Sequence, residues 1–393
     1  MNLFFIFAIV MLSIIHGIVG IRIIPFLNLS HPVKIIVWSV IVILAALPII
    51  PIILRSKGFE NESVDIFSWA GYISLGFFVL TFLTVITKDI VYILIGLFTK
   101  IAAYFENTIE PLDPSRRDFI QKMLSIGIIT TTGASTLVGL YNARKGPTIM
   151  RSNVSLNGLG KNLNGLTIAQ ISDLHVGPTI KEGYVEGVVN QVNELNPDII
   201  AITGDLVDGS VKYLAKHVEP LKDLHANVGK YFVTGNHEYY SGVDRWLDKT
   251  DQLGLTNLID NHEIITKEND SITIGGVTDY RSSTIKPDHK SDANKAFYGA
   301  PKDIPKILLA HQPWSIFNAH EAGTDLQLSG HTHGGQFWPF TYAVRMANPY
   351  TAGLHDHNGT WIYVNRGTGY WGPPMRLGVN SEITLVTLEQ KKI

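Results

Sequence analysis

Histidine, aspartate and asparagine recur in five short clusters in the second half of the chain, each directly after an apolar run. In order, the clusters are Asp173-x-His175, Gly204-Asp205-x-x-Asp208, Gly235-Asn236-His237-Glu238, His311 and Gly330-His331-Thr332-His333. Imidazole nitrogens and carboxylate or amide oxygens are common ligands of Mn, Fe and Zn ions. One such cluster is ordinary in a turn, but five in series indicate a metal site.

The spacing within the clusters suits a site for more than one cation. Two pairs have an i, i+2 spacing that lets both side chains reach one ion from a loop: Asp173 with His175, and His331 with His333. Two cations close together repel each other, and a bridging carboxylate offsets that repulsion. Asp205 is the candidate bridge, because it follows a predicted strand directly and Gly204 permits a tight turn. Asn236 adds a neutral amide oxygen.

The order and spacing of the clusters resemble the calcineurin-like metallophosphoesterases over about residues 167–365. The resemblance implies two divalent ions (Mn, Fe or Zn), about 3.5–4 Å apart, that polarise a phosphoryl group and activate a water for in-line attack. The family pattern would give one ion to Asp173, His175, Asp205 and His333, and the other to Asp205, Asn236, His311 and His331. It also implies that His237 assists the leaving group or stabilises the transition state. His237 and Asp205 are therefore the predicted catalytic residues, and His237 is also a predicted substrate contact.

Several neighbouring residues have two open interpretations. Asp208 and Glu238 would each either hydrogen-bond a metal-ligating histidine or face solvent. Arg366 opens a Gly/Pro-rich loop after a late predicted strand, and we predict that it binds the substrate phosphate. A turn with aromatic packing is the alternative for this loop, and Arg376 fits both interpretations equally. The Gly-Asp-x-x-Asp motif lacks a following Arg-Gly pair, which argues against protein phosphatase activity.

An aromatic segment at residues 336–342 directly follows the last cluster. It would form an apolar wall for a lipid-like substrate or lie at a membrane interface, where Trp and Tyr are favoured. Ordinary loop or core packing is the alternative and the more frequent one. His355 and His357 flank Asp356 in what we expect to be a solvated polar loop without a metal.

Predicted strands and helices place the clusters at sheet ends. Strands are expected at 166–172, 198–203 and 230–234, with helices at 181–195, 211–225 and 243–253, and further strands at 271–276, 306–310, 325–329, 361–365 and 382–388. In open α/β sheets, binding sites form at the carboxyl ends of the strands. The pattern predicts an α/β fold of two mixed β-sheets flanked by helices, and the resemblance implies a four-layer sandwich.

The first part of the chain is different, because long apolar runs dominate it to about Tyr141. The runs at 1–21, 33–54 and 66–87 reach the roughly 20 residues that a membrane-spanning helix needs, and the run at 89–105 is a weaker fourth. Four runs in succession favour transmembrane helices over buried core helices. We therefore predict about four transmembrane helices in residues 1–110, a signal or anchor helix with its linker in 111–146, and the metallophosphoesterase domain in 147–393.

The segment Ser115-Arg116-Arg117-Asp118-Phe119 precedes a mildly apolar run at 123–141. It resembles a twin-arginine export signal, which makes the twin-arginine export machinery a predicted partner. The alternative is that the arginines are positive-inside anchors of a fifth helix. Both interpretations place the arginines in the cytoplasm. The prediction is a multi-pass protein of the bacterial inner membrane, with its catalytic domain on the outer, periplasmic face.

Composition narrows the function further. The net charge of -2 over 393 residues gives no bulk attraction to nucleic acid, and without cysteine there are no disulfides or thiolate ligands. We predict a membrane-anchored dinuclear phosphoesterase acting on phosphomonoesters or phosphodiesters, with lipid-linked or envelope phosphates favoured by location. The alternative is a non-catalytic metal-binding membrane sensor or assembly factor. A transporter is disfavoured, because the spans contain few charges.

Overall fold

A computed structural model describes residues 3–105 and 113–391. The chain divides into two compact units. One comprises the residues up to Leu140 together with Pro373–Met375, and the other comprises Tyr141–Gly372 and the residues from Arg376 onward. The predicted boundary between residues 110 and 111 lies outside the described residues.

The first unit is helical. Its helices are α1 (Leu3–Ile23), α2 (His31–Ala46), α3 (Ile49–Ser56), α4 (Glu62–Phe105) and α5 (Pro114–Arg144), of which α5 ends in the second unit. Within the described residues, four stretches are long and apolar enough to cross a membrane: Ile6–Leu27, His31–Ser56, Glu62–Tyr104 and Pro114–Arg144. These helices support association with a membrane.

The third and fourth expected spans, 66–87 and 89–105, are not separate helices. They lie in α4, which is continuous over 44 residues. Lys88 and Asp89 interrupt the apolar run, but neither residue type breaks a helix. Asp89 instead pairs with α1, since its Oδ2 lies 2.9 Å from Nε of Arg22. Asp89 therefore forms an ion pair between two helices, whereas the sequence suggested that Lys88 and Asp89 separate two spans.

The second unit contains two six-stranded mixed sheets. In chain order the strands are β1 (Thr148–Leu156), β2 (Thr167–Ile171), β3 (Ile199–Thr203), β4 (Gly229–Val233), β5 (Thr256–Asn257), β6 (Asn261–Lys267), β7 (Asp270–Gly276), β8 (Lys306–Leu309), β9 (Leu326–Ser329), β10 (Gly353–His357), β11 (Thr360–Val364) and β12 (Glu382–Gln390). The first sheet has the order β1-β12-β2-β3-β4-β5 and the second the order β10-β11-β9-β8-β7-β6. The pairs β2–β3, β3–β4, β7–β8, β8–β9 and β9–β11 are parallel, so each sheet has a parallel centre.

Seven helices accompany these sheets: α6 (Glu182–Glu194), α7 (Val211–Val218), α8 (Asn236–Ser241), α9 (Val243–Gln252), α10 (Ala293–Ala296), α11 (Ile316–Glu321) and α12 (Phe340–Ala347). The expected polar loop around Asp356 is strand β10, so that expectation was wrong. Asn358 and Gly359, with φ of 55° and 94°, form the two-residue turn that joins β10 to β11. Asn-Gly is a strong hairpin signal, but the polar residues of β10 concealed the strand.

Both faces of the central strands are buried. One apolar cluster contains residues from both sheets: Ile168, Ile199 and Val233 from the first, and Ile274, Ile307 and Leu328 from the second. A second cluster joins Ile171, Ile202 and Phe232 to Val188 of α6 and Trp246 of α9. Burial on both faces explains why these strands read as continuous apolar runs in the sequence.

Gln170 is a buried polar side chain in β2 that connects the two sheets. Its Nε2 donates to Oγ1 of Thr203 and to the carbonyl of Ser329, both at 2.9 Å. Thr203 belongs to the first sheet and Ser329 to the second. This amide therefore helps to set the separation of the two strand ends that precede the histidine and aspartate clusters.

We expect Gln170→Ala to reduce the free energy of unfolding by about 2–4 kcal/mol, because it leaves a cavity and removes two buried hydrogen bonds. Guanidinium unfolding of the detergent-solubilised protein, followed by tryptophan fluorescence, measures this. Gln252→Ala, at an exposed position in α9, is the control and should change stability by less than about 0.5 kcal/mol. Equal effects of the two substitutions would contradict a bridging role for Gln170.

Candidate metal centre

The clusters lie at the same end of each sheet, because the strands that precede them are parallel. Ile171 of β2 pairs with Ile202 of β3, and Leu309 of β8 pairs with Leu328 of β9. Just beyond the strands, the Asp173 amide donates to the Gly204 carbonyl at 3.0 Å, and the Gly330 amide donates to the His311 carbonyl at 2.9 Å. Neighbouring clusters therefore leave each sheet side by side.

Two hydrogen bonds join the loops of one sheet to those of the other. Nδ1 of His311 donates to the Thr203 carbonyl at 2.8 Å, and the His331 amide donates to Oδ2 of Asp173 at 2.9 Å. Because a carbonyl oxygen only accepts, Nδ1 of His311 carries the proton. Its Nε2 faces the Asp205 carboxylate, where a cation would replace a proton.

Left-handed backbone conformations aim the side chains of this centre. Asp173, His175, Asp205, His331 and His333 have φ between 50° and 70°, a region that non-glycine residues occupy uncommonly. Gly204 also has positive φ, at 83°, and a Cβ there would lie 2.8 Å from Nδ1 of His311. Local strain of this kind concentrates at functional sites, where the surrounding structure maintains it.

Six of the predicted ligands form two groups. Asp173, His175 and His333 make one group and Asp205, His311 and His331 the other, with the ligand atoms of each group within 4.8 Å of one another. In the second group, Oδ2 of Asp205 lies 3.2 Å from Nε2 of His311. The same oxygen lies 3.8 Å from Nε2 of His175 in the first group. Asp205 is therefore within reach of both groups.

The donor chemistry of these groups fits divalent cations. Nε2 of His175 lies 3.1 Å from Nε2 of His333, and Nε2 of His311 lies 3.1 Å from Nδ1 of His331. Nδ1 of His175 faces the Asp208 carboxylate at 3.0 Å, so its proton is placed there and Nε2 carries a lone pair. Lone pairs and carboxylate oxygens that converge repel one another, and a divalent cation removes that repulsion.

Asn236, the seventh predicted ligand, begins α8. Its Oδ1 is buried and has no hydrogen-bond partner within the described part of the chain. The next residue contacts the centre directly, because the His237 amide donates to Oδ1 of Asp205 at 2.8 Å. Buried amide oxygens are almost always paired, so this one has the chemistry expected of a cation ligand.

Comparison with known proteins agrees with this geometry. The family model described as calcineurin-like phosphoesterase matches residues 166–335. A "transmembrane protein with metallophosphoesterase domain" from Bos taurus is 35% identical, over 84% of this chain and 75% of that protein. The protein of the same description from Danio rerio is 37% identical, but the alignment covers 69% of this chain and only 63% of that relative. An uncharacterized metallophosphoesterase from Helicobacter pylori is 36% identical, over 73% of this chain and 76% of its own.

This chain belongs to the calcineurin-like phosphoesterases. It is therefore a metal-dependent hydrolase of phosphoric esters, as the sequence predicted. The relatives include vertebrate and bacterial proteins, and two of them are described as transmembrane.

His237 of the phosphoesterase lies beside the two ligand groups. Its Nδ1 is 2.5 Å from Oδ1 of Asp208, and its Nε2 is 3.9 Å from Oδ2 of Asp205. Burial lowers the pKa of His237, but these two carboxylates outweigh burial and raise it to about 10. His237 is thus an imidazolium that can donate a proton or offset negative charge. Asp208 also hydrogen-bonds His175. Of its two interpretations, the structure therefore favours a hydrogen bond to a predicted metal-ligating histidine over a side chain that faces solvent.

Glu238 adopts neither of the roles considered for it. Its buried carboxylate accepts the backbone N–H groups of Gly235 at 2.6 Å, Asp205 at 3.0 Å and Leu206 at 2.8 Å. Burial, followed by the charge of Asp205, raises the pKa of Glu238 to about 8. The carboxylate therefore ties the loop that carries Asp205 to the start of α8.

The pKa values of two predicted ligands, Asp205 and His331, are shifted so that Asp205 is charged and His331 is neutral. Burial raises the pKa of Asp205, but His311 and His237 outweigh it and hold that pKa well below its usual range. Burial and then the charge of His311 lower the pKa of His331 to about 3. His331 is thus a neutral imidazole, which is the form that binds metals.

The two arginines of the late loop have different surroundings. Nη1 of Arg366 lies 2.5 Å from Oε2 of Glu382, and its side chain passes close to Gly334, next to the last cluster. Arg376 is fully buried and donates to the carbonyls of His333 at 3.0 Å and Arg366 at 2.8 Å. Arg376 therefore holds the late loop against the last cluster and does not face solvent.

Sequence reasoning missed other residues of the site. The rings of Tyr240 and Trp371 lie 5.4 Å and 5.7 Å from that of His237, and both are exposed. Asp279, three residues after β7, accepts at Oδ2 from Nε2 of Gln312 at 2.8 Å. An acidic residue just past a predicted strand was an available signal for Asp279. The aromatic residues had no such signal.

We expect Glu238→Gln to weaken binding of Mn²⁺ roughly 10–100-fold, because the amide NH₂ group would face backbone donors and release the Asp205 loop. Titration of the metal-stripped, detergent-solubilised protein by calorimetry measures this affinity. Glu194→Gln, at the exposed end of α6, is the control. Unchanged affinity in Glu238→Gln would show that the loop holds its position without the carboxylate.

Proposed function

We propose that this chain is a dinuclear phosphoesterase that hydrolyses phosphomonoesters or phosphodiesters. The main support is the pair of ligand groups with Oδ2 of Asp205 in reach of both. Asp173, His175, Asp205 and His333 would hold one ion, and Asp205, Asn236, His311 and His331 the other. When bound, the two ions supply Lewis acidity and activation of the attacking water.

The other proposed roles belong to side chains around these ligands. His237, held by Asp208, would donate the Nε2 proton to the departing oxygen. Arg366, oriented by Glu382 and about one-third exposed, would bind the substrate phosphate. We also assign the two sheets and their outer helices to the four-layer sandwich implied by the resemblance.

We place the protein in the bacterial inner membrane as a multi-pass protein, with the catalytic domain on the outer face. The proposed division is a transmembrane region at 1–110, a twin-arginine-like anchor at 111–146 and the catalytic domain at 147–393. Four apolar stretches support the membrane assignment, and Arg116 and Arg117 lie exposed in the first turn of α5. This location favours a lipid-linked or envelope phosphoester as the substrate.

We expect His237→Gln to lower kcat for p-nitrophenyl phosphate or its bis-ester by about 10²–10⁴-fold, because the proton donor is lost. Metal content, measured by mass spectrometry, should stay unchanged in this variant and fall in Asp205→Asn. His225→Gln, an exposed histidine, is the control for general histidine loss.

Wild-type activity should also disappear with EDTA and return with Mn²⁺. An absence of metal-dependent turnover of any phosphoester by the wild-type protein would favour the sensor or assembly-factor alternative. Full activity of His237→Gln would remove this residue from the proposed chemistry but leave the metal assignment intact.

We expect the double substitution Arg116→Lys/Arg117→Lys to block export, because the twin-arginine machinery requires arginines while a positive-inside anchor requires only charge. A folded-reporter fusion after Arg144, expressed in a bacterium, measures the fraction reaching the outer face. Lys122→Arg, in the same helix, is the charge-conserving control. Normal export of the lysine pair would make the arginines ordinary topology anchors.

A further inference from the structure

Helix α12 and the residues before it present an exposed apolar surface. Trp338 is 53% exposed, Tyr342 is 61% exposed and Met346 is 90% exposed. All eight residues of α12 are at least partly exposed. Monomeric soluble domains rarely leave a group of large apolar side chains in water, and such groups usually mark a contact surface.

Both ends of α12 are fixed to loops that carry proposed metal ligands. The helix begins seven residues after His333, and the buried Phe337 lies between them. At the other end, Nε1 of Trp314 donates to the Ala347 carbonyl at 3.1 Å, and Trp314 lies three residues after His311. The apolar surface is therefore held in place next to the predicted metal ligands.

The charge and side-chain types of this surface suit a lipid bilayer. From Leu326 to His355 the sequence has no Asp or Glu, so nothing there repels anionic headgroups. Arg345 is the one Lys or Arg in that stretch, and its guanidinium lies 5.9 Å from the Tyr342 ring. Tryptophan, tyrosine and arginine are the residues that favour the membrane–water interface.

A further pair of aromatic residues extends this surface. Trp314 and Phe317 are 39% and 45% exposed, and their rings lie 5.7 Å apart. Because Trp314 bonds the end of α12, the exposed apolar area continues past the helix. A surface of several aromatic anchors binds a bilayer more strongly than one inserted ring, since the binding strength grows with the buried apolar area.

We propose that α12, with Trp338 and Trp314, docks on the surface of the bilayer in which the first unit is anchored. This inference rests on the proposed membrane anchoring and deepens it. A bilayer is the favoured occupant because the same chain carries four apolar stretches that would tether the second unit to a membrane. Docking would bring the metal centre to the level of lipid headgroups, so phosphoesters carried by lipids would be its substrates.

The absence of cysteine allows a direct test with single labels. Met346→Cys is labelled with bimane, and the full-length protein is reconstituted in nanodiscs with or without acyl-brominated phospholipid, which quenches bimane inside the bilayer. We expect bromine-dependent loss of emission at position 346. Tyr298→Cys, 87% exposed in the same unit, is the matched control and should show no bromine-dependent loss.

A third label separates this inference from the anchoring on which it depends. Ile43→Cys lies in α2 and is 60% exposed, so it should be quenched if the first unit spans the bilayer. Quenching at 43 without quenching at 346 would overturn the docking and leave the anchoring intact. No quenching at 43 would overturn both.

A charge substitution adds a second measurement. Tyr342→Asp in the Met346→Cys background should reduce quenching at 346, because it places a carboxylate at the bilayer surface. Hydrolysis of soluble p-nitrophenyl phosphate by the same variant should be unchanged, which shows that the domain is folded. Disulfide crosslinking between two copies of the unlabelled Met346→Cys protein, without quenching of the labelled protein, would identify a second copy as the partner and overturn the proposal.

Discussion

The burial of the Asp205 carboxylate is the constraint on which the rest of the site depends. A buried carboxylate is costly unless charges or hydrogen-bond donors compensate it. Here His311 lies 3.2 Å from Oδ2, and the His237 amide donates to Oδ1. Glu238 adds a second buried carboxylate nearby, but its oxygens are satisfied by backbone N–H groups. The convergence of the Asp205 oxygen with the neighbouring imidazole nitrogens is what makes this pocket suitable for cations.

The two sheets supply the rigidity that this arrangement requires. Parallel strands end side by side within each sheet, and contacts between sheets set the distance between the two sets of ends. Gln170 reaches the Ser329 carbonyl, and His311 reaches the Thr203 carbonyl. These bonds connect residues more than 100 positions apart in the sequence. A metal site built this way depends on the whole fold of the second unit, because each sheet contributes predicted ligands that the other lacks.

Apolar residues serve two different purposes in this chain. In the second unit they fill the space between the sheets and beneath the helices, where Ile202 and Trp246 are almost completely buried. In α4 of the first unit, large apolar side chains such as Ile93 and Phe98 remain exposed, as expected for helices that face lipid. The exposed aromatic residues around α12 resemble the second situation more than the first. Two relatives are described as transmembrane proteins with a metallophosphoesterase domain, so other members of the family combine the same two features.

The sequence by itself determined the types and order of the predicted ligands and the strands that precede them, because apolar runs and short-range spacing are local properties. It also determined the membrane character of the first unit and the family. Only the tertiary structure decided that Glu238 binds the Asp205 loop, that Arg376 is buried behind His333, and that α4 is one helix. It also revealed α12 between the loops of His311 and His333. Each of these features depends on hydrogen bonds, ion pairs or exposure set by residues distant in sequence, which no local pattern encodes.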